Sequence, residues 1–483
     1  MSVPLLKKFC RESSFFYMIT HFIYFSIMKS LLLIRSAMAT GICAISLIFS
    51  SCSLDYANPN AATEAQVLST REGLLGLAIG MQQFYAANGT GVLESYITRS
   101  GVTARELVVT TTFQNPLDLE VGGSALPTEN GDILAIWQRS YRVISMADNI
   151  LSNVPKLTDV QLPPPMRSGT LALASLYKAM CLGHLVMYFE QAPITVGTLA
   201  APAPFRNRAD VLAEALRLLD DAARQIATTA PNTEFTTTVL ARGLNLSTTI
   251  QAMRARFLLM AGRNADAIQA ATAVPQAAAS VSNFTFDAQQ NRNPIFLSIV
   301  QAGSSYAPRD FFGVAGLDTN DQRLRFFMSL NATRFGNASR LPADNLVAPF
   351  FAAVDASIPV FRLGEMLLIR AEANARLGNL MAAVEDINRI RTKARTADPH
   401  GIGAALPAYS GAMAAEAVLA EIYAQRCVEL YLTGMRMEDA RRFGRPAPPT
   451  MPVFTSERNR NFYPYPSLER DNNRVNTPPD PAI

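Results

Sequence analysis

The feature that most limits what this chain can fold into is a repeated triplet of small residues. Ala255, Gly262 and Ala267 recur as Ala371, Gly378 and Ala383, with the same spacings of seven and five. The second triplet sits where two helical patterns meet. Leu363, Met366, Leu367, Ala371, Asn374 and Leu377 form one apolar stripe, Gly378-Asn379 breaks it, and Leu380, Ala383, Val384, Ile387 and Ile390 begin another. Apolar spacings of three and four mark a helix, and glycine just past the last turn is the usual stop. Small residues on both sides of such a stop let two antiparallel helices pack closely. The same period runs through 131–154, 167–190, 208–228, 248–262, 263–274, 361–377, 380–395 and 413–433. The expected class is therefore all-α (mainly), a scaffold of helix pairs. Pro-rich stretches such as Leu162-Pro163-Pro164-Pro165 and Ala201-Pro202-Ala203-Pro204 read as stops between helices. Because no Gly/Ser-rich or charge-rich linker divides the chain, residues 52–483 are expected to form a single domain.

The N-terminal 51 residues are excluded from that scaffold. Lys29 and Arg35 precede an uncharged stretch from Ser36 to Ser51, which ends in Ile48-Phe49-Ser50-Ser51-Cys52. A positive start, an apolar middle and small residues before the cut describe a secretory signal. A cysteine at the cut suggests a lipoprotein with lipid attached to Cys52, and an ordinary signal with an incidental cysteine is the weaker alternative. Ser13 to Ser26 is apolar but shorter than the roughly 20 residues a membrane span needs. Met28-Lys29 is itself a good signal start, so residues 1–27 read as an over-extended beginning. The leader carries five basic residues against Glu12, which accounts for the whole formal charge of +4. The remainder is neutral overall, and nothing in it points to nucleic acid. Of the cysteines outside the leader and its end, Cys181 and Cys427 lie in helical, apolar stretches. Buried free thiols or a single 181–427 disulfide both fit.

Residues 281–360 lack helical period and are rich in Phe, with Asn, Arg and Asp between. They read as a loop-rich insertion of about 80 residues between helix pairs, and 86–130, with Gly89, Gly91, Gly101 and Gly122-Gly123, look similar. Long loops on a helical scaffold are where binding is commonly placed. Trp137, the only tryptophan, lies on a helical stripe and is expected in the core. A sugar platform, if there is one, must then come from loop Tyr and Phe residues. His184, between Leu182-Gly183 and Leu185-Val186, reads as a core histidine. No catalytic residue emerges: the chain has no HExxH, GxSxG or phosphate-binding loop, no CxxC metal spacing, and only an incomplete Gly401-Ile402-Gly403 in place of a nucleotide fingerprint. No cofactor is expected. A pair of glycosidase carboxylates is not visible in a sequence, and none is singled out here.

The Ala-Gly-Ala spacing resembles the tetratricopeptide (TPR) helix pair at its small positions. From Cys52 almost to the C-terminus, the chain also resembles the SusD/RagB family of outer-membrane nutrient-binding lipoproteins. The likeness rests on Asn58-Pro59-Asn60, on Trp137 to Ile144 with Ala147-Asp148-Asn149-Ile150, on Leu176 to Ala179 and on Tyr188 to Ile194. Its most specific parts are Phe361 to Asn374 with Asp386 to Arg391, then Arg426, Glu429-Leu430, Gly434-Met435-Arg436, Asp439, Arg441 to Gly444, Tyr463-Pro464-Tyr465-Pro466 and Glu469. Gln425 and Thr433 stand where the family usually has Glu, which would weaken local ion pairs. The resemblance implies a TPR-like scaffold with a binding face built from loops. It also implies an oligosaccharide or peptide ligand, and a TonB-dependent (SusC-like) β-barrel transporter as partner. A lipid-anchored, surface-facing place at the cell outer membrane goes with it. A periplasmic TPR-type lipoprotein adaptor for a protein partner is the alternative, and the aromatic insertion weighs against it. Among the charged residues, Arg426 with Glu429 and Arg436 with Asp439 have the spacing of helix neighbours. Arg362, Glu365, Arg370 and Glu372 are expected to form a charged seam between helices, as scaffold rather than as a site.

Overall fold

In the computed structural model the described residues are 64–483, apart from 302, 331–336, 338, 344, 348–350, 352 and 452. The leader over 1–51, Cys52, Asn58-Pro59-Asn60, Phe335 and Phe350 lie outside them. Glu64–Ile483 clusters as one unit. Its principal helices are α1 (Arg71–Ala86), α2 (Val92–Thr103), α3 (Gly131–Asn153), α4 (Pro164–Tyr188), α5 (Arg208–Thr228) and α6 (Leu246–Met260). They are followed by α7 (Asn264–Thr272), α8 (Leu363–Arg376), α9 (Leu380–Arg391), α10 (Ala415–Glu429) and α11 (Arg436–Arg442).

From α3 to α10 every helix packs on the next in sequence, and α4, α6, α8 and α10 also touch in turn. That is the arrangement of stacked helix pairs, with one helix of each pair forming an inner row. The small-residue triplets explain how the pairs close. Gly262 and Gly378 adopt φ of +73° and +84°, ending α6 and α8, while Ala255, Ala267, Ala371 and Ala383 are fully buried between helices. The inner row is tight as well: a Cβ on Gly183 of α4 would stand 2.1 Å from Cζ of Phe257 on α6. The helix α4 is long and apolar enough to cross a membrane, yet its apolar window lies wholly inside the protein. It is a core helix, and His184 on it is buried, with Tyr85 Oη 3.2 Å from its Nδ1. Trp137 is 3% exposed and its indole N–H donates to Glu469 at 3.1 Å, as a core tryptophan should. Cys181 and Cys427 are both buried free thiols.

The charged seam exists, with different partners from those that spacing suggests. Arg426 does not turn to Glu429, and Arg436 does not turn to Asp439. Arg426 instead makes a bidentate pair with Asp439 at 2.8 Å on both nitrogens. Glu429 receives Lys393 at 2.8 Å and Arg323 at 3.0 Å, and Arg436 donates to the Cys427 carbonyl at 2.8 Å. Glu365 is held by Arg256 of α6 at 2.6 and 2.8 Å, Arg370 by Asp386 of α9, and Glu372 by Arg442 at 2.7 and 2.9 Å. The reason is burial. These ends of α10 and α11 face other helices, so Arg426 reaches across the interface, while Arg441 and Arg442 also pair along α11 with Glu438 and Asp439. Burial pushes the Glu372, Glu429 and Asp439 carboxyls up, but the arginines and Lys393 around them outweigh it and hold all three below the ordinary range. Gln425 does not leave a hole: it accepts from Arg323 at 2.6 Å and donates to Glu421 at 2.8 Å.

Two readings of the irregular segments need correction. Residues 86–130 are not mainly loop, since α2 and a helix at Gln114–Val121 occupy much of them. The glycines that suggested a loop act at junctions instead, with Gly91 capping α2 and Gly101 packed against Leu107. The insertion 281–360 does contain irregular chain, together with short antiparallel strands. Tyr306–Pro308 pairs with Leu107–Val109, Asn283–Phe284 with Ile358–Pro359, and Met328–Leu330 with Asn345–Val347. Its aromatics are mostly not displayed. Phe284, Tyr306, Phe312, Phe326, Phe327 and Phe351 are buried, and Phe312 and Phe327 meet Tyr431 edge-on at 4.7 and 5.7 Å. They form the core on which the insertion rests.

Candidate ligand-binding cleft

A cleft of about 600 Å³ opens where the two irregular segments meet. One wall comes from Phe113-Gln114-Asn115-Pro116 and the other from Leu297-Ser298 and Gly303 to Tyr306, with Glu94, Arg99 and Asp132 at the bottom. Each part is fixed by local chemistry. Asn130 caps α3, accepting from the Asp132 and Ile133 N–H groups at 3.0 and 3.3 Å, and its amide donates to the Asn115 carbonyl at 2.9 Å. One side chain therefore sets both the helix start and the near wall. Gly131 permits this approach, because a Cβ there would stand 2.7 Å from the Asn115 amide nitrogen. The far wall hangs from the Val109–Tyr306 strand pair and from Thr110 Oγ1, which donates to the Ser304 carbonyl at 2.9 Å.

At the bottom, Arg99 donates through Nε and Nη2 to one oxygen of Asp132, at 3.1 and 2.8 Å, and Glu94 lies 3.6 Å from its Nη1. Burial would push the Arg99 guanidinium down, but Tyr306, Asp132 and Glu94 together carry it above its ordinary value. Asp132 also sits in the first turn of α3, where the helix dipole favours an anion. Its second oxygen, Oδ2, is buried and has no hydrogen-bond partner. A buried carboxylate oxygen left unpaired is costly, and a ligand hydroxyl or N–H entering the cleft would relieve it. In the same lining, Phe113 is 68% exposed, an unusual state for a large aromatic. An outward aromatic beside a rigid Arg–carboxylate pair can stack on a flat apolar face while the carboxylate accepts hydrogen bonds from the same ligand.

No individual binding residue was legible in the sequence. The two segments that meet here are the ones read as loop-rich, but Phe113 and Asp132 stood out in no motif. The nearest signal was Asn-Gly-Asp at 130–132, a helix start. Among the described residues no cluster of His, Cys, Asp and Glu has the make-up of a metal site.

Residues 353–478 match the family model described as the SusD family. No curated protein matches the chain. Solved structures align over most of its length. A SusD superfamily protein from Bacteroides thetaiotaomicron gives a TM-score of 0.64 at 15% identity, covering 85% of this chain and 100% of the other. One from Bacteroides vulgatus gives 0.63 at 17%, covering 84% and 98%. A SusD-like carbohydrate binding protein from Bacteroides fragilis gives 0.61 at 12%, covering 84% and 99%. The SusD family's sequence pattern thus lies over α8 to α11, and the chain as a whole has the fold of solved SusD-superfamily proteins.

Proposed function

We propose that this protein is a nutrient-binding lipoprotein that takes an oligosaccharide into the cleft under Phe113 and passes it to a TonB-dependent outer-membrane β-barrel. The observation that carries the ligand reading is the unpartnered Asp132 Oδ2 in a cleft capped by an exposed Phe113. A sugar offers both complements, hydroxyl donors for the carboxylate and an apolar ring face for the phenyl. A structural neighbour described as a carbohydrate binding protein supports the same choice. Lipid on Cys52 would anchor the protein, stably so with more than one chain, and the SusD-family pattern over 353–478 supports the barrel as recipient. Binding without turnover is the proposed activity, and the ligand would leave unchanged.

Titration with panels of neutral oligosaccharides and of short peptides, with chromatography of the recovered ligand, tests this reading. Saccharide binding that Phe113→Ala and Asp132→Asn each weaken, with the sugar recovered intact, is the expected result. Binding of peptides alone would move the ligand class, and cleaved sugar would replace the binder with an enzyme. Mild-detergent capture from native membranes tests the partner: a large outer-membrane barrel at near-equal yield is expected, and periplasmic proteins without a barrel would favour an adaptor.

A further inference from the structure

A separate cavity of about 610 Å³ lies between the last turns of α1, Tyr177 of α4, and the segments 238–242 and 284–291. Tyr177 lines it, is 1% exposed, and its hydroxyl makes no hydrogen bond. Burial raises the pKa of this hydroxyl, so it stays a neutral donor and acceptor. Its ring is fixed edge-on against Tyr85 at 5.2 Å, and Tyr85 stacks on Phe284 at 5.4 Å. The Tyr85 hydroxyl is already engaged with His184. Gln82 is also fully used: it donates to the Ala78 and Val239 carbonyls and accepts from the Ala241 N–H. Neither neighbour bonds Tyr177, and leaving a buried hydroxyl unpaired is unfavourable.

The rest of the lining indicates what could pair with it. Gln83, Gln290 and Asn291 line it with amide side chains that make no hydrogen bond among the described residues. The 287–291 turn that carries two of them is set by Asp287, whose carboxylate accepts from the Gln289, Gln290 and Asn291 N–H groups. Phe84 supplies an aromatic wall, steadied from behind by Arg142, whose guanidinium lies 4.6 Å from the ring centroid. Arg242 and Asp287 line the cavity with opposite charges, so it does not select an ion. Neutral amides, an aromatic wall and a waiting hydroxyl suit an uncharged, hydroxyl-rich ligand. We propose that this cavity is a second saccharide site, with the Tyr177 hydroxyl bonded to a sugar hydroxyl at its floor. It rests on observations independent of the Phe113 cleft.

The test is crystal soaking and calorimetric titration of the whole chain with maltose, cellobiose, mannobiose and lactose, in the wild type, Tyr177→Phe, Phe113→Ala and Gln83→Ala/Asn291→Ala. At least one sugar is expected in the Tyr177 cavity of the wild type and of Phe113→Ala. Tyr177→Phe should weaken that binding about five- to tenfold, as loss of one hydrogen bond does, while ligand-free melting is unchanged or raised. If Tyr177→Phe fails to fold, the Gln83→Ala/Asn291→Ala pair must show the loss instead. A wild-type cavity that holds none of the four sugars overturns the proposal, as does binding there that neither variant weakens. A filled Tyr177 cavity with an empty Phe113 cleft would sink only the functional reading above, and the reverse only this one.

Discussion

Replacing Arg256 by Met should be among the most damaging single changes in the scaffold, and a second replacement should repair most of the damage. Arg256 of α6 and Glu365 of α8 meet through two hydrogen bonds, 2.6 and 2.8 Å long, with both side chains almost wholly buried. Burial alone would push the Arg256 guanidinium down, but Glu365 carries it above its ordinary value. Removing Arg256 strands the Glu365 carboxylate without its partner in the inner helix row. Breaking a buried pair from one side costs about 3–5 kcal/mol, whereas replacing both members by apolar groups is often neutral or better. For some 400 ordered residues the unfolding entropy is roughly 0.8 kcal/mol per kelvin, so the single variant should lose roughly 4–6 °C in Tm. Urea unfolding of wild type, Arg256→Met, Glu365→Met and the double variant closes the cycle. The expected coupling is about 3 kcal/mol or more, with the double variant within about 1 kcal/mol of wild type. A single variant that costs under about 1 kcal/mol, or a double variant that is the sum of the two singles, would refute the claim that the pair is a mutual necessity.

Other outcomes follow from the same geometry. Burial, with Arg256 nearby, pushes the His184 imidazole down to about 3. A group depressed on folding contributes stability that is complete above its unfolded value, near 6.5, and lost as pH falls toward the folded one. Melting temperature should therefore begin to drop below about pH 6.5, and His184→Gln should flatten that first limb; an unchanged slope would remove His184 as its cause. Gly183→Ala drives a methyl into the Phe257 ring and should cost about 1–3 kcal/mol by urea unfolding; a neutral result would mean that the inner row has slack. Phe113→Ala should weaken saccharide binding by about 1–2 kcal/mol, the scale of one stacked aromatic, without moving Tm, because the ring is mostly in solvent. Cys52→Ala should release the protein from membranes in fractionation, and retention of the variant there would count against the lipid anchor.

How much of this was legible in the sequence depended on which physical force each residue answers to. The helices of the stack could be read because burial is periodic: α3 through α10 each carry an apolar stripe, and Gly262 and Gly378 end helices by backbone geometry alone. The helix α2 was missed because Gly89, Gly91 and Gly101 suggest loop by composition, whereas in the fold Gly91 is a cap and Gly101 a packing contact set by Leu107, a residue outside the helix. The ion pairs were found as residues but not as partners. Spacing along one helix pairs Arg426 with Glu429, yet once both are buried each takes the partner that a neighbouring element presents. The cleft was legible only as two segments. Its chemistry lies in a relation between Phe113, Asp132 and Tyr306, and that relation is created by the Leu107–Val109 strand pairing nearly 200 residues away in sequence. This also accounts for where the family pattern lies. Residues 353–478 hold Glu365, Glu372, Asp386, Arg426, Glu429 and Asp439, whose buried charges tolerate few substitutes because each needs a specific counterpart. The cleft residues lie outside that segment. The part of the chain that announces the fold is thus separate from the proposed ligand cleft, and knowing the first leaves the second to be tested by binding experiments on Phe113, Asp132 and Tyr177.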